Sequence, residues 1–160
     1  MQDALAPFLS SFVTPFGNVP LQAAALRLVA AALLGALIGW ERESRDKAAG
    51  LRTHMLVSVA ATVFTLIAFD LMTIPGTEDD TLRTDPLRLI EAVTSGVAFL
   101  AAGAIFMGQG KPRGLTTGAG LWLAGAVGLA CGIGNIALAG MATGLALTIL
   151  WLLRKVPVER

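Results

Sequence analysis

Apolar and polar positions along this chain fall into long blocks instead of alternating at the period of a strand. Five stretches, about 21–40, 54–74, 87–108, 115–133 and 136–153, are almost wholly apolar. Each approaches the roughly 20 residues that a helix needs to cross the hydrocarbon of a bilayer. Pro20, Pro75-Gly76, Pro86, Pro112 and Pro157 fall in most of the breaks, where helices stop or start. The pattern predicts an all-α membrane protein of about five transmembrane helices. Phe8, Leu9, Phe12, Val13 and Phe16 make residues 1–20 a short segment expected to lie at the interface. Residues 21–153 then form the transmembrane domain, and 154–160 a short cytoplasmic tail.

Composition turns this from a helical reading into a membrane one. The chain is 55% hydrophobic and 14% charged, where a soluble domain carries about 25% charged residues. Mean hydropathy is +0.72. Nothing basic precedes Arg27, so the first apolar stretch is expected to be retained as a span and not removed as a leader. A single cysteine, Cys131, lies inside an apolar run and allows no intrachain disulfide.

Charge gives the spans a direction. Arg42, Arg45, Lys47, Arg52, Lys111, Arg113, Arg154, Lys155 and Arg160 all fall on one side of the five-span arrangement, nine of the twelve cations. Arg83 is the clear loop cation on the other side, beside Glu78, Asp79, Asp80 and Asp85. Cations collect in cytoplasmic loops. The expected topology is therefore N-terminus out and C-terminus in, with 75–86 outside.

The sequence also repeats itself. "RLVAAALLG" at 27–35 answers "RLIEAVTSG" at 88–96, and "GLRT" at 50–53 answers "GLTT" at 114–117. Each copy is a helix entered through Arg-Leu, an inner loop, a Gly-Leu-x-Thr entry and a second helix. Both copies run in the same direction, so the spacing predicts a parallel two-helix repeat. Small-residue pairs such as Gly35/Gly39, Gly114/Gly118, Gly128/Gly132 and Gly140/Gly144 would let helices approach closely, within the chain or between copies.

Polar residues near the spans are the candidates for function. On the outer side stand Arg27, Asp70, Asp85, Arg88 and Glu91, which form either mutually neutralising ion pairs or a polar vestibule. On the inner side, Glu41-Arg42-Glu43 ends the first span, and Arg52, Thr53, Thr116 and Thr117 begin the second and fourth. The threonine hydroxyls can cap helix starts, whose positive dipole ends favour Glu41 and Glu43. Glu41 and Arg42 are expected to form a charged knot with Arg52. Glu78, Asp79, Asp80 and Asp85 could attract a hard cation weakly, but no metal site is expected, and His54 stands without a Cys/His cluster. His54, Ser58 and Ser95 form no recognisable nucleophile arrangement, so no catalytic residue and no cofactor is assigned. Trp40, Trp122 and Trp151 read as interface or packing aromatics.

"LLGALIGWERESRDKAAGLRTHMLV", "DPLRLIEAVTSGVAFLAAGAIF" and "GLTTGAGLWLAGAVGLACGIG" together resemble the MgtC/SapB family of bacterial inner-membrane proteins, over about residues 21–135. The resemblance carries Glu41, Arg42, Gly50, Arg52, Thr53, Asp85, Arg88, Gly103, Thr116, Thr117 and Trp122 over as motif residues, Gly103 and Trp122 in packing. This sequence departs from the family pattern at Ala98 and Ala101, where glycine is usual, and at Glu91. The resemblance implies a multi-pass, non-enzymatic inner-membrane protein, an accessory or regulator in Mg²⁺ homeostasis and stress adaptation. Larger members add a C-terminal cytoplasmic domain, whereas this sequence stops seven residues after Leu153. The partners expected are the lipid bilayer, another inner-membrane protein and, as an option, further copies of itself; no nucleic acid is expected. The alternative is a small ion or solute transporter or channel.

Overall fold

The computed structural model describes residues 19–72, 85–108 and 111–153. The interfacial segment expected over most of 1–20, the acidic residues Glu78, Asp79 and Asp80, and the cationic tail lie outside those residues. What is described is a helix bundle: α1 (Leu21–Glu43), α2 (Leu51–Met72), α3 (Pro86–Gly103), α4 (Leu115–Ile133) and α5 (Ile136–Leu152). Between α3 and α4 lies a small antiparallel hairpin of β1 (Phe106–Gly108) and β2 (Lys111–Arg113), pairing Phe106 with Arg113 and Gly108 with Lys111. Helices α1, α2 and α4 are long and apolar enough to cross a membrane, and α5 is a shorter apolar helix.

Local chemistry sets the helix limits. Asp85 accepts a hydrogen bond from the Leu87 amide at 2.9 Å, and Pro86 occupies the first turn, where its missing N–H costs nothing. Asn135 caps α5 by accepting from Leu138 N at 3.0 Å. Gly134, at φ 95°, ends α4 in the left-handed region that glycine enters freely. Three boundaries differ from the sequence reading, and at one of them α2 begins at Leu51 instead of about residue 54. Helix α1 runs through the charged Glu41-Arg42-Glu43 instead of stopping at Trp40, because Arg42 and Glu43 find partners across the bundle. The third span stops at Gly103, and residues expected to continue it form the hairpin.

Which residues meet gives each pair a direction. A Cβ on Gly39 would lie 2.6 Å from Leu51 Cα, and one on Gly35 would lie 2.8 Å from the His54 carbonyl, so α1 and α2 are antiparallel. On α4, Gly120 faces His54, Gly128 faces Ser58 and Ala61, and Gly132 faces Thr65, so α4 runs parallel to α2. Gly118 meets Ala101 while Gly125 meets Val97, so α3 is antiparallel to α4. Directions therefore repeat from α1–α2 to α3–α4, as the internal sequence repeat requires. The copies are not equally embedded. Helix α1 packs on α2, α4 and α5, whereas α3 rests mainly on α4. The core lies where α1, α4 and α5 converge, around Ala31, Ile38, Val127, Cys131 and Ala139.

Candidate functional site

The C-terminal end of α1 sends three consecutive charged side chains in three directions. Arg42 continues the buried stripe Ala31, Gly35, Ile38 and Gly39, and it is itself only 4% exposed. Its guanidinium donates to Thr117 Oγ1 on the first turn of α4 at 3.1 Å. Glu43 turns to α2, where its carboxylate accepts from the Leu51 amide at 2.6 Å and so caps that helix. Gly50 lies directly under the Glu43 carboxylate, leaving no room for a side chain. Glu41 stays with its own turn, paired with Arg45 four residues on and 4.0 Å from Arg42. A single helical turn thus joins α1, α2 and α4.

The expected partner Arg52 is not in this knot. Arg52 points outward from the start of α2 and is exposed, because Glu41 finds Arg45 within its own helical turn. The threonines also divide. Thr117 is buried against Arg42, Thr53 is half-buried, and Thr116 is exposed. Neither α2 nor α4 relies on threonine to cap its start. Glu43 serves α2, and α4 follows Gly114 at φ 87° with no side-chain cap.

The residues expected on the outer side are separated rather than gathered. Arg27 donates to the Gly132 carbonyl at 2.7 Å, and its guanidinium lies against Gly134, at the negative end of the α4 dipole. Arg88 and Glu91 are exposed on α3, and Asp85 serves as the α3 cap. No ion pair among the described residues joins Arg27, Asp85, Arg88 or Glu91 to another. Asp70 is half-buried near the C-terminal end of α2. Of the two expected packing positions, Gly103 has open space where a Cβ would be, and Trp122 is 55% exposed. Trp122 lines an apolar groove of about 280 Å³ with Ile90, Thr94 and Leu138.

The MgtC family model matches residues 28–158. The chain belongs to the MgtC family. Protein MgtC of Brucella abortus (strain 2308) is 41% identical over 135 residues, covering 84% of this chain and 53% of that protein. Protein MgtC of Salmonella typhimurium (strain LT2) is 42% identical over 130 residues, covering 81% of this chain and 52% of that protein. The chain spans about half the length of the curated relatives it matches. No solved structure matches it.

One buried feature of this MgtC-family chain escaped the sequence reading. His54, Ser58, Thr62 and Thr65 form a polar stripe along α2, each at most 1% exposed. Their spacing of four, four and three residues places them on one helix face. Thr62 donates to the Ser58 carbonyl at 3.0 Å and to the Gly128 carbonyl of α4 at 2.8 Å. His54 Nδ1 lies 2.8 Å from the Gly50 carbonyl, an acceptor, so Nδ1 carries a proton, and Nε2 faces Gly120. Neither His54 Nε2 nor Ser58 Oγ has a hydrogen-bond partner among the described residues. The signal was available: four polar residues at helical spacing inside an apolar run, with a glycine ladder on α4 to receive them.

Proposed function

We propose that this chain is a multi-pass protein of the bacterial inner membrane, without catalytic activity of its own. It acts as an accessory or regulator in Mg²⁺ homeostasis and stress adaptation, through contact with another inner-membrane protein. Family membership supports the link to Mg²⁺. The observation that carries the accessory role is the way the interior is filled. Gly35, Gly128 and Gly132 bring α1 and α4 against the α2 backbone and side chains so closely that a methyl group would collide. Arg42 and Arg27 tie α1 to the two ends of α4. Close contact and crossed ties make a rigid body, suited to presenting surfaces to a neighbour.

The test is genetic. A strain lacking the chain should grow more slowly than its parent when Mg²⁺ is limiting, and the intact chain should restore growth. Unchanged growth, membrane potential and ATP level across low-Mg²⁺ media would remove the basis of this reading. The proposed orientation is N-terminus out and C-terminus in. In a Cys131→Ser background, Asp79→Cys should react with an impermeant thiol reagent in intact spheroplasts, and Lys111→Cys only after lysis.

A small transporter or channel is the second reading, and His54 Nε2 and Ser58 Oγ, buried in the bundle with no hydrogen-bond partner among the described residues, favour it. Purified protein in liposomes separates the two. Mg²⁺ or proton flux above that of empty vesicles, lost in Ser58→Ala, would displace the accessory role.

A further inference from the structure

Helix α3 presents its polar side away from the bundle. Its inward row is Leu89, Val93, Val97 and Ala101, spaced at four residues, which packs toward α2 and α4. The opposite row is Arg88, Glu91, Ala92, Ser95, Phe99 and Ala102, and every one of these is exposed, Phe99 to 84%. Beside that row, a Cβ on Gly96 or Gly103 would meet nothing within 4 Å. A helix face turned to lipid tails is ordinarily apolar, and charged side chains there are rare unless another protein element receives them. This face carries a cation, an anion and a hydroxyl, with small residues among them.

We propose that the outward face of α3 is the contact between two copies of this chain, related by a twofold axis along the membrane normal. The charges are arranged to complement themselves. Taking Ser95 as the centre of the face, Arg88 falls about 20° to one side and Glu91 about 40° to the other, at 100° per residue. In a parallel twofold pair, one side of a helix meets the opposite side of its partner. Arg88 of one copy therefore approaches Glu91 of the other, twice, across a height difference of about 4.5 Å. Within one chain the two residues stand three apart and yet form no ion pair between them. Ala92, Ser95 and Ala102 allow the backbones to come close, and Phe99 fills the space beside them. The pairing is independent of whether the protein regulates a partner or transports an ion.

The experiment uses the full chain in native membranes, with Cys131→Ser as background. Ser95→Cys should form an oxidised dimer, while Leu145→Cys, on an exposed position of α5, should form little. Arg88→Glu and Glu91→Arg should each reduce the dimer about tenfold, the loss expected for two intramembrane polar contacts of ordinary strength. The double exchange should restore it. Should a charge exchange prevent accumulation of the protein, Ser95→Leu serves instead. Its bulk separates the copies while leaving the α3–α4 contact alone, and light scattering in detergent should then report a monomer. Cross-linking of Ser95→Cys no stronger than that of Leu145→Cys would overturn the proposal. So would a double exchange no better than the single ones, or a Ser95→Leu protein that stays dimeric.

Discussion

Helices α2 and α3 both lean on α4, yet they do so through opposite kinds of surface. Toward α4, α2 turns its polar stripe, with Thr62 donating to the Gly128 carbonyl and glycines allowing backbone contact. Helix α3 turns aliphatic Val93 and Val97 to the same helix and leaves Arg88, Glu91 and Ser95 outside. In water the second contact would be the stronger. In lipid, apolar side chains gain little by leaving the tails, so close packing and hydrogen bonds decide which helices hold together. The difference teaches that the rigid part of the molecule is its polar, glycine-rich contact, and that α3 is the loosely held element.

The largest effect expected is at the tight contact. Gly128→Leu would drive a side chain into the Ser58 carbonyl and the Ala61 methyl, and should cost roughly 3 kcal/mol. Thermal unfolding in detergent would show it, and a melting temperature equal to that of the parent would break the comparison. Arg42→Ala comes next, at roughly 2 kcal/mol, because it removes a charged donor from a buried threonine. Arg42→Lys should recover only part, since the ammonium lacks the guanidinium's reach and planar fork. Thr62→Val keeps the shape and deletes the interhelical hydrogen bond, for a loss of about 1 kcal/mol. At the loose end, Gly140 on α5 has nothing within 4 Å of a new Cβ. Gly140→Ala should therefore stabilise by about 0.5 kcal/mol through helix propensity, opposite in sign to any change at Gly128. Smallest is the Glu41–Arg45 coupling, about 0.3 kcal/mol in a double-mutant cycle, whereas Glu41→Ala and Arg52→Ala should simply add.

The helices were legible because prolines and glycines bracket long apolar runs. Residues 115–133 and 136–153 stand within a residue of α4 and α5. The inner site was half legible. The sequence points to Glu41, Arg42 and Thr117, but the apolar run alone ends α1 at Trp40, since a charged block reads as a loop. Extended by one turn, the periodicity 31, 35, 38, 39, 42 places Arg42 on the buried face and leaves Arg52 as the outsider. The hairpin after α3 was hidden because "IFMG" continues an apolar run, and only the pairing of Phe106–Gly108 with Lys111–Arg113 distinguishes it from helix. The outer cluster failed for a different reason. Sequence placed Arg27, Arg88 and Glu91 at the same depth, but depth does not say which way a helix faces. Arg27 turned inward to a carbonyl 105 positions away.

That last distance bears on how the protein is made. Both ties of α1 reach forward along the chain, Arg42 to a residue 75 positions later and Arg27 to one 105 positions later. Helix α1 leaves the ribosome first of the described helices, and the groups that satisfy its two arginines do not yet exist. At bacterial rates of synthesis the carbonyl that receives Arg27 follows roughly 5–20 s behind it. During that interval both guanidiniums must remain with water, headgroups or the insertion machinery, and α1 can be no more than a provisional span. Its final seat is taken when α4 arrives between it and α3, so assembly proceeds from the last long helix backward. A translational pause between α2 and α4 would prolong the stage at which the chain is most vulnerable to membrane proteases.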